Sequence, residues 1–456
     1  MAQSNLKWPI FKTATWGLSD DLFTGIDGSF FASKNINIRD NARSISLNKA
    51  LVKDSWTVIT EKINAIIKTS TGKYMAVWSS WGLYWKNTTN WAKITSDSPA
   101  TEVYSLAEFS GYIYWTTNSY IHRLAVGNLS SNITATDVIN RHSLASSTYY
   151  PLLVSQGDMY VGHWGRVDKV NNLDVWEDLL TMDSSNTVKD LDDLGWSIRV
   201  VTSSNTGNSN IYLWDWVSDA PDQTIPLIWY DVRHSIIFNG YNYLITNKWL
   251  WILDWYKVFP LKKIDVFNDN LGSIDVFNEK LYVGWTGWVY VFGQKSKDYP
   301  EVLNKAYSTS NGSDTDVINA IYSDWTDLYV AWSNGTSYGI DKLSTTVYYT
   351  SGYLETKGYI ANSLAEIKET VSAMIWFKPL LTGETISLYY SVDGWAYTKI
   401  IDITSASVLP DLFTEDLLFS SGSFQYIQFK IEFVWPWTST PEFYSFDLVF
   451  NNNLKR

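Results

Sequence analysis

One short unit that recurs along the chain constrains its fold more than anything else in the sequence. The clearest copy is residues 281–293, L-Y-V-G-W-T-G-W-V-Y-V-F-G. Two runs of β-branched and aromatic residues, Leu281-Tyr282-Val283 and Val289-Tyr290-Val291-Phe292, flank a segment carrying Gly284 and Gly287, the pattern of a tight β-hairpin. Both runs are apolar at nearly every position, so both faces of the hairpin are expected to be covered. Six more copies begin at Lys73, Gly111, Asp158, Gly195, Tyr241 and Asp327, the one at Gly195 being the weakest.

Taking Tyr74, Tyr114, Tyr160, Arg199, Tyr243, Tyr282 and Tyr329 as equivalent, adjacent copies lie roughly 40–47 residues apart, the period of a four-stranded propeller blade. A single blade cannot bury both its faces, so the copies form a core only by closing into a ring. The sequence therefore predicts an all-β fold, a seven-bladed β-propeller with six or eight blades as alternatives. The residue two after each tyrosine is small in most copies (Ala76, Thr116, Gly162, Gly284, Ala331), and this strand is expected to lie nearest the crowded axis.

The repeat assigns residues 35–356 to the propeller, after an irregular N-terminal segment at 1–34. An alternating stretch, Asn35-Ile36-Asn37-Ile38-Arg39 and Ser44-Ile45-Ser46-Leu47, reads as a hairpin and is expected to be the outer edge of the last blade, closing the ring. From 357 to 456 the period stops. Long alternating runs such as Tyr426-Ile427-Gln428-Phe429-Lys430-Ile431-Glu432-Phe433, with a turn at Asp393-Gly394, predict a C-terminal β-sandwich. A helical turn is expected within residues 360–369.

Composition narrows the function classes. The net charge of −12 opposes binding to a nucleic-acid backbone, which wants a basic surface. Without cysteine there is neither a disulfide framework nor a thiolate metal site. The N-terminal residues lack a signal-peptide core and no run approaches a membrane span, so the expectation is a protein made in the cytoplasm without a signal peptide and not inserted in a membrane. The four histidines, His122, His142, His163 and His234, show no zinc-binding spacing. No nucleophile elbow, phosphate loop or dinucleotide fingerprint occurs, and neither a cofactor nor a metal is expected.

Two acidic groupings are candidate sites. Asp190-Leu191-Asp192-Asp193-Leu194-Gly195 has the opening spacing of a calcium loop, but Val201 stands where the bidentate glutamate belongs, which favours a solvated acidic turn. A propeller glycosidase needs two carboxylates flanking a bond. Asp192, Asp193, Asp215 and Asp327 supply acids, and nothing in the sequence pairs them. The expectation is a protein that is not an enzyme.

Tryptophan occurs 25 times, as often as glycine. Many of these residues fall at hairpin turns, and Trp78, Trp81, Trp164, Trp285, Trp288 and Trp332 are the candidate ligand-binding residues, an exposed aromatic rim for stacking on sugar rings. A second reading packs them between blades. A third is genetic code recoding: turn positions with positive φ favour glycine, and a source that decodes UGA as glycine would have its glycines written as tryptophan.

The opening G-I-D-G-S-F-F-A-S-K-N-I-N-I-R at residues 25–39, the repeated blades, and the I-S-L-Y-Y-S-V-D-G run at 386–394 resemble virion or tail-associated β-propeller proteins of tailed bacteriophages, known mainly from environmental sequences. The resemblance covers nearly the whole chain and carries no catalytic signature. It implies a virion structural or host-adsorption protein, part of a tail tip or fibre. The implied partners are other virion proteins in an oligomeric particle, and host-surface glycan. A glycan-degrading propeller enzyme and a cellular glycan-binding lectin or scaffold are the alternatives.

Overall fold

The computed structural model describes residues 6–11, 29–39, 44–54, 59–78, 83–86, 90–93, 103–118, 120–129, 139–145, 147, 149–171, 175–204, 206–228, 230–246, 249–254, 257–263, 273–294, 301–360, 369–405, 424–435 and 439–451. Among them the fold is all-β, with a short 3-10 turn at Val126–Asn128 and no α-helix. Seven of the sheets are antiparallel and four-stranded. The chain divides into two compact units, one of Val52–Gly287 with Asn311–Lys342, the other of Met1–Leu51 with Trp288–Ser310 and Leu343–Arg456.

The first unit holds the opening and second strands of the β-propeller. Its blades open with the strands Ile63–Lys68, Leu106–Phe109, Leu152–Ser155, Asn186–Asp193, Val232–Phe238, Ile274–Phe277 and Val317–Ser323. Each of these touches the opening strand of the next blade, and Val317–Ser323 touches Ile63–Lys68, so the opening strands close a ring around the axis. The tyrosine-bearing strands, among them Asp158–His163 and Lys280–Gly284, come second in their blades. The expectation that they lie nearest the axis is therefore corrected by one strand.

The small residues on those second strands answer to a different constraint. A Cβ built on Gly162 would lie 2.4 Å from Val188 Cγ1, and one on Gly284 would lie 2.4 Å from Ile318 Cγ2. Val188 and Ile318 belong to the opening strand of the following blade. Beside each of them the pairing shifts by one residue, at Lys189 and Asn319, and the same bulge recurs at Asn64 and Arg233. A bulge bends its strand and increases the local twist, and here it falls beside the residues that meet the preceding blade's glycines. Backbone bonds reinforce the contact: Val188 N donates to Trp164 O at 2.7 Å.

The cores are layers between neighbouring blades. Leu83, Trp85, Leu106, Ile113 and Trp115 fill the first seam, and Tyr160, Val167, Val188, Val200 and Trp214 fill the third. At the seam between last and first blades, Lys68 Nζ meets Asp324 Oδ2 at 2.6 Å and Tyr74 donates its hydroxyl to the same oxygen at 2.7 Å. These two donors hold the Asp324 carboxyl well below its ordinary range against the opposing effect of burial. Nearby, Asp54 accepts from Lys86 Nζ at 2.6 Å and from Trp91 Nε1 at 2.8 Å. The acidic run at 190–195 is no loop: Asp190, Asp192 and Asp193 lie within the strand Asn186–Asp193, so they lack the turning backbone that gathers calcium ligands.

Lys49–Lys53 is the fourth strand of the last blade. It follows the hairpin expected in that place. The hairpin pairs only Ile36 with Leu47 and Asn37 with Ser46, and forms a two-stranded sheet of its own.

In the second unit, Phe30–Lys34, Ser351–Thr356, Ile427–Val434, Thr385–Val392 and Thr398–Thr404 make a five-stranded sheet, and Leu6–Phe11, Phe443–Asn451 and Glu369–Phe377 a three-stranded one. Phe377, Ile386, Leu388, Phe429, Ile431, Phe433, Phe443 and Phe446 form one core shared by the two sheets. Segment 1–34, expected to be irregular, thus supplies a strand to each sheet, because each extends a sheet edge by backbone pairing that needs no strong apolar pattern of its own. The helical turn expected in 360–369 falls almost wholly outside the described residues, and Glu369 begins a strand.

Trp164 and Trp216 have left-handed backbones, with φ of 47° and 68°, where a side chain is strained and glycine is not. Peptide mass spectrometry of the protein from its native source is expected to find glycine at both positions, as recoding requires, and tryptophan at both would remove that reading. Gly284→Ala is expected to lower stability by about 1–3 kcal/mol through overpacking. Urea denaturation of Gly284→Ala with and without Ile318→Val checks it, since the smaller neighbour should restore part of the loss.

Candidate functional site

Six of the seven equivalent second-strand positions hold tyrosine, and the fourth blade alone holds Arg199. Tyr114, Tyr160, Tyr243, Tyr282 and Tyr329 are buried, and Tyr114, Tyr160 and Tyr329 pack in the seams between blades. Arg199, with no exposed surface, puts a guanidinium into the same kind of place. It stands opposite Asp192 across the strand pair and donates from Nη2 to Asp192 Oδ2.

Asp192 belongs to a wider group. The Ser235 hydroxyl bonds both Asp192 Oδ2 and Asp190 Oδ2, the latter at 2.9 Å, and Ser235 N donates to Asp190 Oδ2 at 2.7 Å. His234 Nδ1 contacts the same Asp190 oxygen. Burial, joined by the charge of Asp190, pushes the Asp192 carboxyl up, and Arg199 and Ser235 only partly offset this. Burial alone would lower the His234 imidazole, but Asp190 outweighs it and holds His234 above its ordinary value. Asp275, facing Val276 N and Ser323 N, is pushed up to about 6 by burial.

Arg199 also lines a cleft of about 510 Å³ between the fourth and fifth blades. Trp196 and Tyr241 stand on its walls, 66% and 46% exposed, with Gln223, Asn242 and Asp254 beside them. Three buried polar atoms on residues that line this cleft have no hydrogen-bond partner: Arg199 Nε, Arg199 Nη1 and Asn242 Oδ1. Two donors and one acceptor left unmet on the lining residues suit a ligand that both accepts and donates, such as a ring bearing hydroxyls, while the aromatic faces suit its C–H surface.

None of the described tryptophans expected to bind ligand lines this cleft. Trp285 and Trp332 are buried in the propeller unit, and Trp332 lies flat on Gly339, whose added Cβ would come within 2.5 Å of its ring. Trp288, in the other unit, is buried with Lys34 Nζ 4.8 Å and Lys305 Nζ 5.7 Å from its ring centre. None of these three can serve an exposed rim. Trp164 is exposed and donates from Nε1 to Ser184 O at 2.6 Å. Trp78 ends the strand Tyr74–Trp78, and Trp81 lies outside the described residues. Of the acids weighed for glycosidase chemistry, Asp193 accepts from Ser155 at 2.7 Å, Asp215 from Ser218 at 2.6 Å, and Asp327 pairs with Lys342 at 2.8 Å. Arg199 and its cleft were missed, although the break in the tyrosine column marks them.

Among the described residues no helix is long and apolar enough to cross a membrane. No family model matches the chain, and no curated protein sequence matches it. Among solved structures it is similar to the extracellular domain of a putative hybrid two component system from B. thetaiotaomicron, at 12% identity and a TM-score of 0.49 over 74% of this chain. The match spans 45% of that structure's length. It is similar also to a catalytically inactive virginiamycin B lyase from Staphylococcus aureus with quinupristin, at 12% identity and TM-score 0.49, covering 64% of this chain and 98% of that one. The WD40 β-propeller domain of Doa1 matches at 12% identity and TM-score 0.47, covering 65% and 98%.

Proposed function

We propose that this chain is a non-enzymatic binding module that holds a glycan in the cleft between its fourth and fifth blades, as part of a bacteriophage tail tip or fibre. The observation that carries the binding reading is the trio of unpartnered buried atoms on Arg199 and Asn242 beside the exposed faces of Trp196 and Tyr241. A buried donor without a partner costs about 1–3 kcal/mol, and a ligand oxygen removes that cost on binding. The place in a virion rests on the sequence resemblance, and the glycan on the surface of the host cell is the ligand it implies.

An enzyme is the second reading, favoured by one observation: Asp190 and Asp192 share the Ser235 hydroxyl, and one of them is pushed up. A carboxylate raised by burial beside a second carboxylate is what acid and base roles need. Neither of them, however, lines the cleft, whereas Arg199 does. The arrangement therefore favours holding a ligand over cleaving it.

Titration of the full chain with oligosaccharides from the host surface, followed by intrinsic fluorescence, is expected to saturate. Tyr241→Ala and Arg199→Met should each weaken binding tenfold or more, and Tyr241→Ala, on an exposed site, should keep the wild-type melting temperature. Binding unchanged in both variants would sink the cleft, and steady release of new reducing ends that stops in Asp192→Asn would favour the enzyme. Immunogold labelling of negatively stained phage is expected to mark the tail, and label confined to the host cytosol would remove the virion assignment.

A further inference from the structure

The seam between the second and third blades carries a cluster that sequence spacing does not show. His142 lies in the outermost strand of the second blade, Ile139–Ser143. Asp168 and Asp178 lie in the third blade, on the neighbouring strands Arg166–Val170 and Trp176–Thr181, as direct cross-strand partners beside a register shift. Like charges directly opposite one another destabilise a sheet. This pair is the more costly because Asp168 is 1% exposed, and its Oδ1 is buried with no hydrogen-bond partner.

We infer that His142, Asp168 and Asp178 hold a divalent transition-metal ion of the zinc class. One ligand atom from each residue lies within 4.8 Å of the other two. His142 Nε2 is 3.1 Å from Asp168 Oδ2, close to the edge of about 3.3 Å that a tetrahedron with metal–ligand bonds of about 2.0 Å requires. One imidazole with two carboxylates is a donor set that zinc and cobalt accept, and three protein ligands leave a fourth position open.

The surroundings position the ligands. The His142 ring lies flat against the Trp176 indole, 4.4 Å away at an interplanar angle of 1°, which fixes the direction of its nitrogen. His163 Nε2, 2.8 Å from Asp168 Oδ2, grips the carboxylate from within its own blade, the pairing that orients metal-bound carboxylates and histidines elsewhere. Two imidazoles on Asp168 account for Oδ2 alone. They leave Asp178 facing a like charge, and a cation shared by the two carboxylates and His142 Nε2 offsets it. His142 is 26% exposed at its side chain and Asp178 is exposed, so an ion can enter from solvent. Bound there, it pins the outer strand of one blade to the next, and its binding adds directly to the stability of the folded chain.

The test is a titration of the chelator-treated full chain with Zn²⁺ by calorimetry, and with Co²⁺ by visible absorption. One ion per chain is expected, with a rise in melting temperature that EDTA reverses. His142→Ala and Asp178→Asn should each weaken Zn²⁺ binding tenfold or more and abolish the rise, while Asp219→Asn, an exposed acid in another blade, leaves both unchanged. Asp178 is exposed, so its variant is expected to fold. The inference is overturned if no saturable binding occurs, or if binding persists at full affinity in both ligand variants.

Discussion

The propeller depends on how closely one blade can approach the next. Its sheets are apolar on both faces, so no blade has a core of its own, and burial is achieved only in the layers between blades. At Gly162 and Gly284 that approach leaves no room for even a methyl group, and the opposing side chains, Val188 and Ile318, stand next to bulges in their strands. Close packing then makes the ring all or none. Each layer is satisfied only when both of its blades are present, which is why the contact of Lys68 and Tyr74 with Asp324, joining last blade to first, matters as much as any seam inside the series.

This explains which parts of the fold could be read from the sequence. Hairpin period, blade phase and the tyrosine column follow from alternation and turn chemistry, which are local. Which strand faces the axis depends on blades that are distant in sequence, and small residues mark a close approach without saying to what. A better signal was present: Ile63-Asn64-Ala65-Ile66 and Ile318-Asn319-Ala320-Ile321 are the same four residues, and both are opening strands with the same bulge. The closing strand was misplaced by a few residues because Lys49–Lys53 alternates less clearly than the hairpin before it. Strands such as Leu6–Phe11 and Phe30–Lys34 acquire their role only from C-terminal partners more than three hundred residues away.

The sites were less legible for a related reason. Turn tryptophans look exposed in sequence, yet at Trp285 and Trp332 the ring folds back onto the blade, and at Trp332 the absence of a side chain on Gly339 is what makes room for it. Histidine spacing along the chain says nothing of His142 and His163 meeting on Asp168, since the approach runs across a seam. Residues that face a neighbouring blade are grouped by the ring, whereas a sequence motif groups residues along one element.

A propeller built in this way has few places for polar chemistry. The blade faces are buried and must be apolar or fully paired, so a polar group there is tolerated only when something answers it. Tyrosine suits the second-strand position because its ring fills the seam and its one hydroxyl is easily met. Arginine brings five donors to the same volume, and Asp192 meets one of them while burial pushes that carboxyl toward its neutral form. An ion pair so placed gives weak support to folding, because replacing it with a packed apolar pair would be neutral or better. In the binding reading proposed above, its place in a column otherwise made of tyrosine is accounted for by a second partner in the cleft that Arg199 lines.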